Sequence, residues 1–149
     1  MSLVVRRTTF SDPALRPLIV ELDAELHRSY DRVQDAYDDF NLLPADTRTV
    51  LATDGEDQVG CGCFKLDGAE IEIKRVFVAP HARRRGVAAV VMGELETWAR
   101  EVGATNVVLE TGYLQHAAIA LYERLGYTRT QAFGPYIGMD ASVCMRKPL

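Results

Sequence analysis

The residues from Val78 to Ala88, Val-Ala-Pro-His-Ala-Arg-Arg-Arg-Gly-Val-Ala, constrain this chain more than any others. A run rich in β-branched residues ends at Val78, and Pro80 stops it because proline lacks the N–H that a strand ladder uses. Beyond Gly86 the apolar residues Val87, Val90, Val91, Leu95, Trp98 and Val102 recur at helical spacing, which predicts a helix from about Gly86 to Val102 closed by Gly103. Strand end, tight loop and helix start therefore meet where unpaired backbone N–H groups and the positive end of a helix dipole coincide. Gly86 and Ala88 keep side chains out of the way there, and Arg83, Arg84 and Arg85 add charge, so the stretch suits an anion such as a pyrophosphate. Taken alone, it reads equally as a basic helix start on a solvated face.

The rest of the pattern alternates strands and helices with no repeat or low-complexity linker. Leu3 to Arg7 reads as a strand, followed by Asp12 as an N-cap with Pro13 at the first helical position. Leu15, Leu18, Ile19, Leu22 and Leu26 then mark one helical face, and a weaker helix covers Val33 to Phe40. Thr47 to Thr53, Gln58 to Leu66 and Glu70 to Val78 form an antiparallel meander separated by Asp-Gly turns. Asn106 to Glu110 is a strand, His116 to Leu125 a helix stopped by Gly126, and Tyr127 to Thr130 and Ser142 to Arg146 are the last two strands. The predicted order is βααβββαβαββ, an α/β domain spanning residues 1–149.

Within Glu70 to Val78, Ile71 and Ile73 share one parity while Val76 and Val78 share the other. One extra residue near Lys74-Arg75, a β-bulge, produces such a change of face, and a strand buried on both faces is the alternative.

Composition removes several function classes. With 48% hydrophobic residues in 149, a core can form without disulfides or metal. The net charge of −4 argues against general binding to nucleic acid or anionic membrane, so any anion site must be local. The apolar runs fall far short of the roughly 20 residues a membrane span needs, and Met1 to Arg7 lacks the apolar core of a signal peptide, so a cytoplasmic location is expected. Cys61, Cys63 and Cys144 make an odd count without CxxC spacing and are expected to be reduced, partly buried thiols. His27, His81 and His116 have no metal-ligand spacing with one another, so no metal is expected. There is no GxxxxGK[ST] loop and no GxSxG elbow, and Gly60-Cys61-Gly62 lies within a strand with no third glycine opening a helix.

Arg83, Gly86 and Ala88 match the Q/R-x-x-G-x-G/A signature of the GNAT superfamily of acetyl-CoA-dependent N-acyltransferases, which this sequence resembles. The segment from Gln115 to Tyr127 is similar to that family's N-x-x-A-x-x-L-Y-x-x-x-G-F, with Gln115 for asparagine and Tyr127 for phenylalanine. Arg84 stands where glycine is frequent. The specific resemblance covers about Glu70 to Tyr127, while the first 45 residues match only in element order.

The resemblance implies a mixed, largely antiparallel twisted sheet of about seven strands flanked by about four helices. It implies direct acetyl transfer from acetyl-CoA to an amine, with the pantetheine arm lying where two parallel strands splay apart. Arg83, Arg84, Arg85, Gly86, Val87 and Ala88, with Ala89 behind them, would hold the pyrophosphate. The backbone of Val76, Phe77 and Val78 would pair with the pantetheine amides, and Gln115 and Ala118 would line the other wall. Tyr122 is the expected acid for the leaving thiolate, since phenol and thiol pKa values of about 10 and 8.5 permit that transfer; a core tyrosine is the alternative. Glu72 is the expected base, directly or through a water, because an ammonium must lose a proton before it attacks. Its alternative is an exposed carboxylate paired with Lys74 or Arg75.

The expected acceptor is a primary amine of a small molecule; a protein N-terminus or lysine is the runner-up, and a non-catalytic acyl-CoA sensor a third reading. A second copy of the chain is a candidate partner. The acidic stretch with Asp31, Asp35, Asp38 and Asp39 reads either as an attractor for a cationic acceptor or as a solvated face, and Phe133-Gly134-Pro135-Tyr136 as a pocket wall or a plain connector.

Overall fold

The computed structural model describes the backbone of residues 1–149 and the side chains of all but Arg32 and Asp39. Seven strands, β1 (Leu3–Thr9), β2 (Arg48–Asp54), β3 (Asp57–Asp67), β4 (Glu70–Val78), β5 (Asn106–Gly112), β6 (Thr128–Arg129) and β7 (Ser142–Pro148), form one sheet in the order β1-β2-β3-β4-β5-β7-β6. Every pairing is antiparallel except β4 with β5. The helices are α1 (Arg16–Tyr30), α2 (Arg32–Asp35), α3 (Val87–Glu101) and α4 (His116–Arg124), so the element order is the expected one.

The helices pack where their apolar spacing directs. Asp12 caps the turn before α1, accepting from Ala14 N at 2.9 Å, and Leu15, Leu18 and Leu22 bury against Leu51, Cys61 and Phe77 on one face of the sheet. On the opposite face α3 buries Val87, Val91, Met92 and Leu95 among Val50, Phe64, Ile71 and Val107. Each such side chain removed from water contributes about 1.5–3 kcal/mol. β-Carbons on Gly60 and Gly62 would lie 2.6 Å from Val87 and 2.8 Å from Leu95, so these two glycines exist to let α3 sit close on β3.

Two local expectations change. The helix expected over Val33 to Phe40 is broken into α2 and a 3-10 turn, Asp38–Asn41; just before α2, Asp31 takes φ 49°, which also ends α1. The buried face of α3 is rotated away from Val90, which is 42% exposed, toward Met92, Glu96 and Ala99. Glu96 is tolerated inside because it accepts from Tyr127 at 2.9 Å and from Lys147 at 2.7 Å.

The bulge in β4 is present. Cys61 faces Phe77 while Cys63 faces Lys74, so Arg75 and Val76 together oppose Gly62, and Arg75 takes φ 61°. Ile71, Ile73, Val76 and Val78 therefore all join the core under α3, whereas Phe77 joins the core under α1. Around the same point β4 leaves β5. The two strands pair in parallel only from Glu70–Asn106 to Ile73–Leu109, after which β5 pairs solely with β7. The sheet opens between them.

Candidate active site

That opening is a cleft of about 610 Å³ bounded by β4, β5, α1, α3 and α4. Val76, Phe77 and Val78 line it; Phe77 and Val78 pair with Cys61 and Gly60 of β3, and on the β5 side the ladder has already ended at Ile73. A strand edge without a protein partner offers backbone donors and acceptors to an extended amide-bearing ligand.

At one end of the cleft the chain turns through a 3-10 turn, Pro80–Ala82, into α3. Arg84 and Gly86 both adopt left-handed backbone, with φ 65° and 80°, and α3 begins at Val87. Arg84, Gly86, Val87, Ala88 and Ala89 line the cleft, so the unpaired N–H groups of the first helical turn stand at its edge. Arg83 also lines it, but its guanidinium donates to Val78 O at 2.9 Å and to Glu25 of α1 at 2.7 Å while lying over the Phe77 ring. Arg85 is not among the lining residues, which leaves Arg84 as the arginine of the three that lines the cleft without an ion pair among the described residues.

On the far wall Gln115 precedes α4 as its N-cap, and Ala118, Leu121 and Tyr122 follow at helical spacing, all lining the cleft. Tyr122 is 6% exposed, and its hydroxyl makes no hydrogen bond to any described residue. Burial, with the nearby Glu110 charge, drives its pKa far above the usual phenol value.

Glu72 is placed differently from the sequence expectation. It is not a lining residue of the cleft. Its carboxylate accepts from the Tyr136 hydroxyl at 2.9 Å and lies 3.5 Å from Lys74 Nζ, so it sits behind Lys74. The carboxylate that does line the cleft is Glu110, on β5 across from the bulge. Burial pushes its pKa up to about 7, opposed by a hydrogen bond from Ser142 and by the charge of Lys74. Sequence reading passed over Glu110 because it closes a short apolar strand; the available signal was its position six residues before the α4 segment, on the opposite parity from core residues Val107 and Leu109.

Other expected groups stand apart. His81 meets Asp57 at 2.7 Å outside the cleft, and His116 opens α4 on its outer side. Phe133 to Tyr136 forms a turn behind Lys74 rather than a wall of the cleft. Asp31, Asp35 and Asp38 do not line the cleft, and the Asp39 side chain lies outside the described residues. His27, Asp35 and Asp38 bring ligand atoms within 4.8 Å of one another at the surface, away from this chemistry. Cys61, Cys63 and Cys144 are buried free thiols. No helix among the described residues is long and apolar enough to cross a membrane.

Known proteins share this fold. A family model described as "Acetyltransferase (GNAT) family" matches residues 14–127. A protein named IAA acetyltransferase from Azospirillum brasilense is 34% identical over 149 residues, covering 98% of this chain and 97% of that one. A crystal structure from Klebsiella pneumoniae, of a protein assigned as an acyl-CoA N-acyltransferase, superposes with a TM-score of 0.83 at 34% identity, covering 99% and 97% of the two chains. The PaiA N-acetyltransferase of Thermoplasma acidophilum, solved with coenzyme A, shares the fold with a TM-score of 0.71 at 14% identity over 100% of both chains.

Proposed function

Because this chain belongs to the acetyltransferase (GNAT) family, we propose that it moves an acetyl group from acetyl-CoA to a primary amine of a small molecule by direct transfer. The observation that carries the reading is the convergence on one cleft of the α3 N-terminus, the free edge of β4, Glu110 and Tyr122. The pyrophosphate lies against the first turn of α3 beside Arg84, with the N–H groups and the helix dipole holding its charge. Pantetheine adds itself to β4 at Val76 to Val78, and Gln115 and Ala118 bound its other side. The thioester then lies between β5 and α4.

Glu110 takes the role first expected of Glu72. A carboxylate with a pKa near neutrality takes a proton from the bound ammonium, directly or through water. The amine nitrogen forms a bond to the thioester carbon, and the carbon–sulfur bond breaks as the tetrahedral intermediate collapses. Tyr122 gives its proton to the departing sulfur, which leaves as CoA thiol, and the surplus proton on the new amide nitrogen restores the phenol. Among the described residues no acceptor competes for that proton, and burial keeps the phenol protonated until the thiolate forms. The three unpaired cysteines accord with a cytoplasmic, reducing setting.

The test is free-thiol release from acetyl-CoA across a panel of small primary amines, alongside thermal unfolding with acetyl-CoA. Amine-dependent release together with a ligand-induced rise in melting temperature is expected. No rise at saturating acetyl-CoA would sink the CoA assignment, and a rise without release for any amine would sink the transfer.

A further inference from the structure

The bulge in β4 does more than open the sheet. In a regular strand, neighbours point to opposite faces. Here Arg75 is the inserted residue, and Lys74 and Arg75 both turn toward the side covered by α1 and the turn at Tyr136. Lys74 is 8% exposed and Arg75 7%, and both line the cleft. Burial of two cations side by side is costly unless their donors are met.

The protein meets them only in part. Lys74 Nζ donates to the Tyr136 hydroxyl at 2.8 Å, and its other close group is Glu72 at 3.5 Å, an ion-pair distance rather than a good hydrogen bond. An ammonium has three donors, so this one retains capacity. Arg75 donates through Nη2 to Asp23 of α1, while its buried Nε has no partner among the described residues. Acids around these cations are already engaged: Asp23 by Arg75, Glu72 by Tyr136, Glu25 by Arg83. Glu110 faces them from β5 and, among the described residues, accepts only from Ser142. The wall thus combines unmet cationic donors with one carboxylate fit to take an ammonium proton.

We propose that the acceptor is a primary amine bearing a carboxylate next to its amino group, as an α-amino acid does, with Lys74 as the residue that reads the carboxylate and Arg75 beside it. This rests on the acetyl-transfer reading of the same cleft. A carboxylate against Lys74 fills the donor capacity the protein leaves open, and it sets the attached amine toward Glu110 and the thioester.

The experiment compares matched pairs by thiol release from acetyl-CoA: phenylalanine with phenethylamine, tyrosine with tyramine, leucine with isoamylamine. The amino acid of each pair is expected to show a kcat/KM at least about tenfold higher, the effect of one charge-assisted hydrogen bond. Lys74→Met should collapse that preference to within about twofold, mainly through KM, and Lys74→Arg should restore part of it. Equal rates, or a preference for the decarboxylated amines, in the unmodified protein overturns the carboxylate assignment while leaving acetyl transfer intact. A preference surviving Lys74→Met in a folded variant overturns the role of Lys74. Absence of release with every member of both sets overturns the transfer reading and this inference together.

Discussion

The hydroxyl of Tyr30, at the end of α1, occupies the space that a β-carbon on Gly112 would need, and from there it accepts the N–H of Leu114 at 3.1 Å. One contact thereby pins the C-terminal end of α1 across the cleft to the loop between β5 and α4. Gly112→Ala should force Tyr30 aside, costing about 1–3 kcal/mol through overpacking and the lost bond. Thermal unfolding reads this as a fall of several degrees. Because the ring carbon Cζ also stands too close to that position, Tyr30→Ala should cost less in the Gly112→Ala background than it does alone, and strictly additive effects would argue against the clash.

Tyr122→Phe separates chemistry from folding. With no hydrogen bond from the hydroxyl to any described residue, and with Tyr122 on the wall of the open cleft, its removal should leave the melting temperature nearly unchanged. Its edge-on contact with the Tyr127 ring, at 5.9 Å between centroids, is kept. Turnover should fall by about 10–100-fold if the phenol protonates the thiolate. A large drop in stability, or unchanged kcat, would contradict that assignment.

Glu110→Gln should lower kcat by about 100-fold and remove the limb of the pH–rate profile centred near pH 7. The same carboxyl leaves a stability signature of opposite sense. Burial raises its folded-state pKa from 4.5 to about 7, so the native chain binds more proton than the unfolded chain across that interval. Stability contributed by this group is therefore full below pH 4.5 and lost as pH rises toward 7. Chemical denaturation at pH 5 and pH 7.5 should show a smaller decline for Glu110→Gln than for the parent.

Arg84 holds a left-handed backbone that favours glycine, with φ 65°. Arg84→Gly should raise stability by up to about 1 kcal/mol in the absence of ligand, because the side-chain penalty at that φ disappears. The same change removes a cation from beside the α3 N-terminus, so acetyl-CoA affinity should fall, and more so at low salt. Gly86→Ala, at φ 80°, should cost about as much as Arg84→Gly gains. Isothermal titration of acetyl-CoA together with unfolding of the free protein measures both arms.

Most of the fold was legible because apolar spacing is a local property. Leu15, Leu18 and Leu22 marked the buried face of α1, and the parity change between Ile73 and Val76 announced the bulge. The parts that spacing does not carry depend on partners distant in sequence. Glu96 is held inside by Tyr127 and Lys147, which reach it from 31 and 51 residues away, and helical spacing alone carries no sign of them. Glu72 and Glu110 illustrate the same limit: both are strand carboxylates, and only the ending of the β4–β5 ladder at Ile73–Leu109 leaves Glu110 on the cleft and Glu72 behind it. The glycines at 60 and 62, unreadable as a nucleotide loop, are explained by side chains of α3 that no local window contains.

The inserted residue at Arg75 also makes β4 sensitive to length in a way it is not to identity. Val76 and Val78 could be exchanged for isoleucine with modest repacking. Deleting Arg75 would restore simple alternation with Val76 and Val78 still under α3 and Phe77 still under α1, but the bulge and its buried cation would be gone. Inserting one further residue after Arg75 would swap the faces of every side chain from Val76 to Val78, sending the valines toward α1 and Phe77 toward α3. Drift in this segment should therefore proceed by substitution alone, with the count of residues between Ile73 and Pro80 held constant while their chemistry varies.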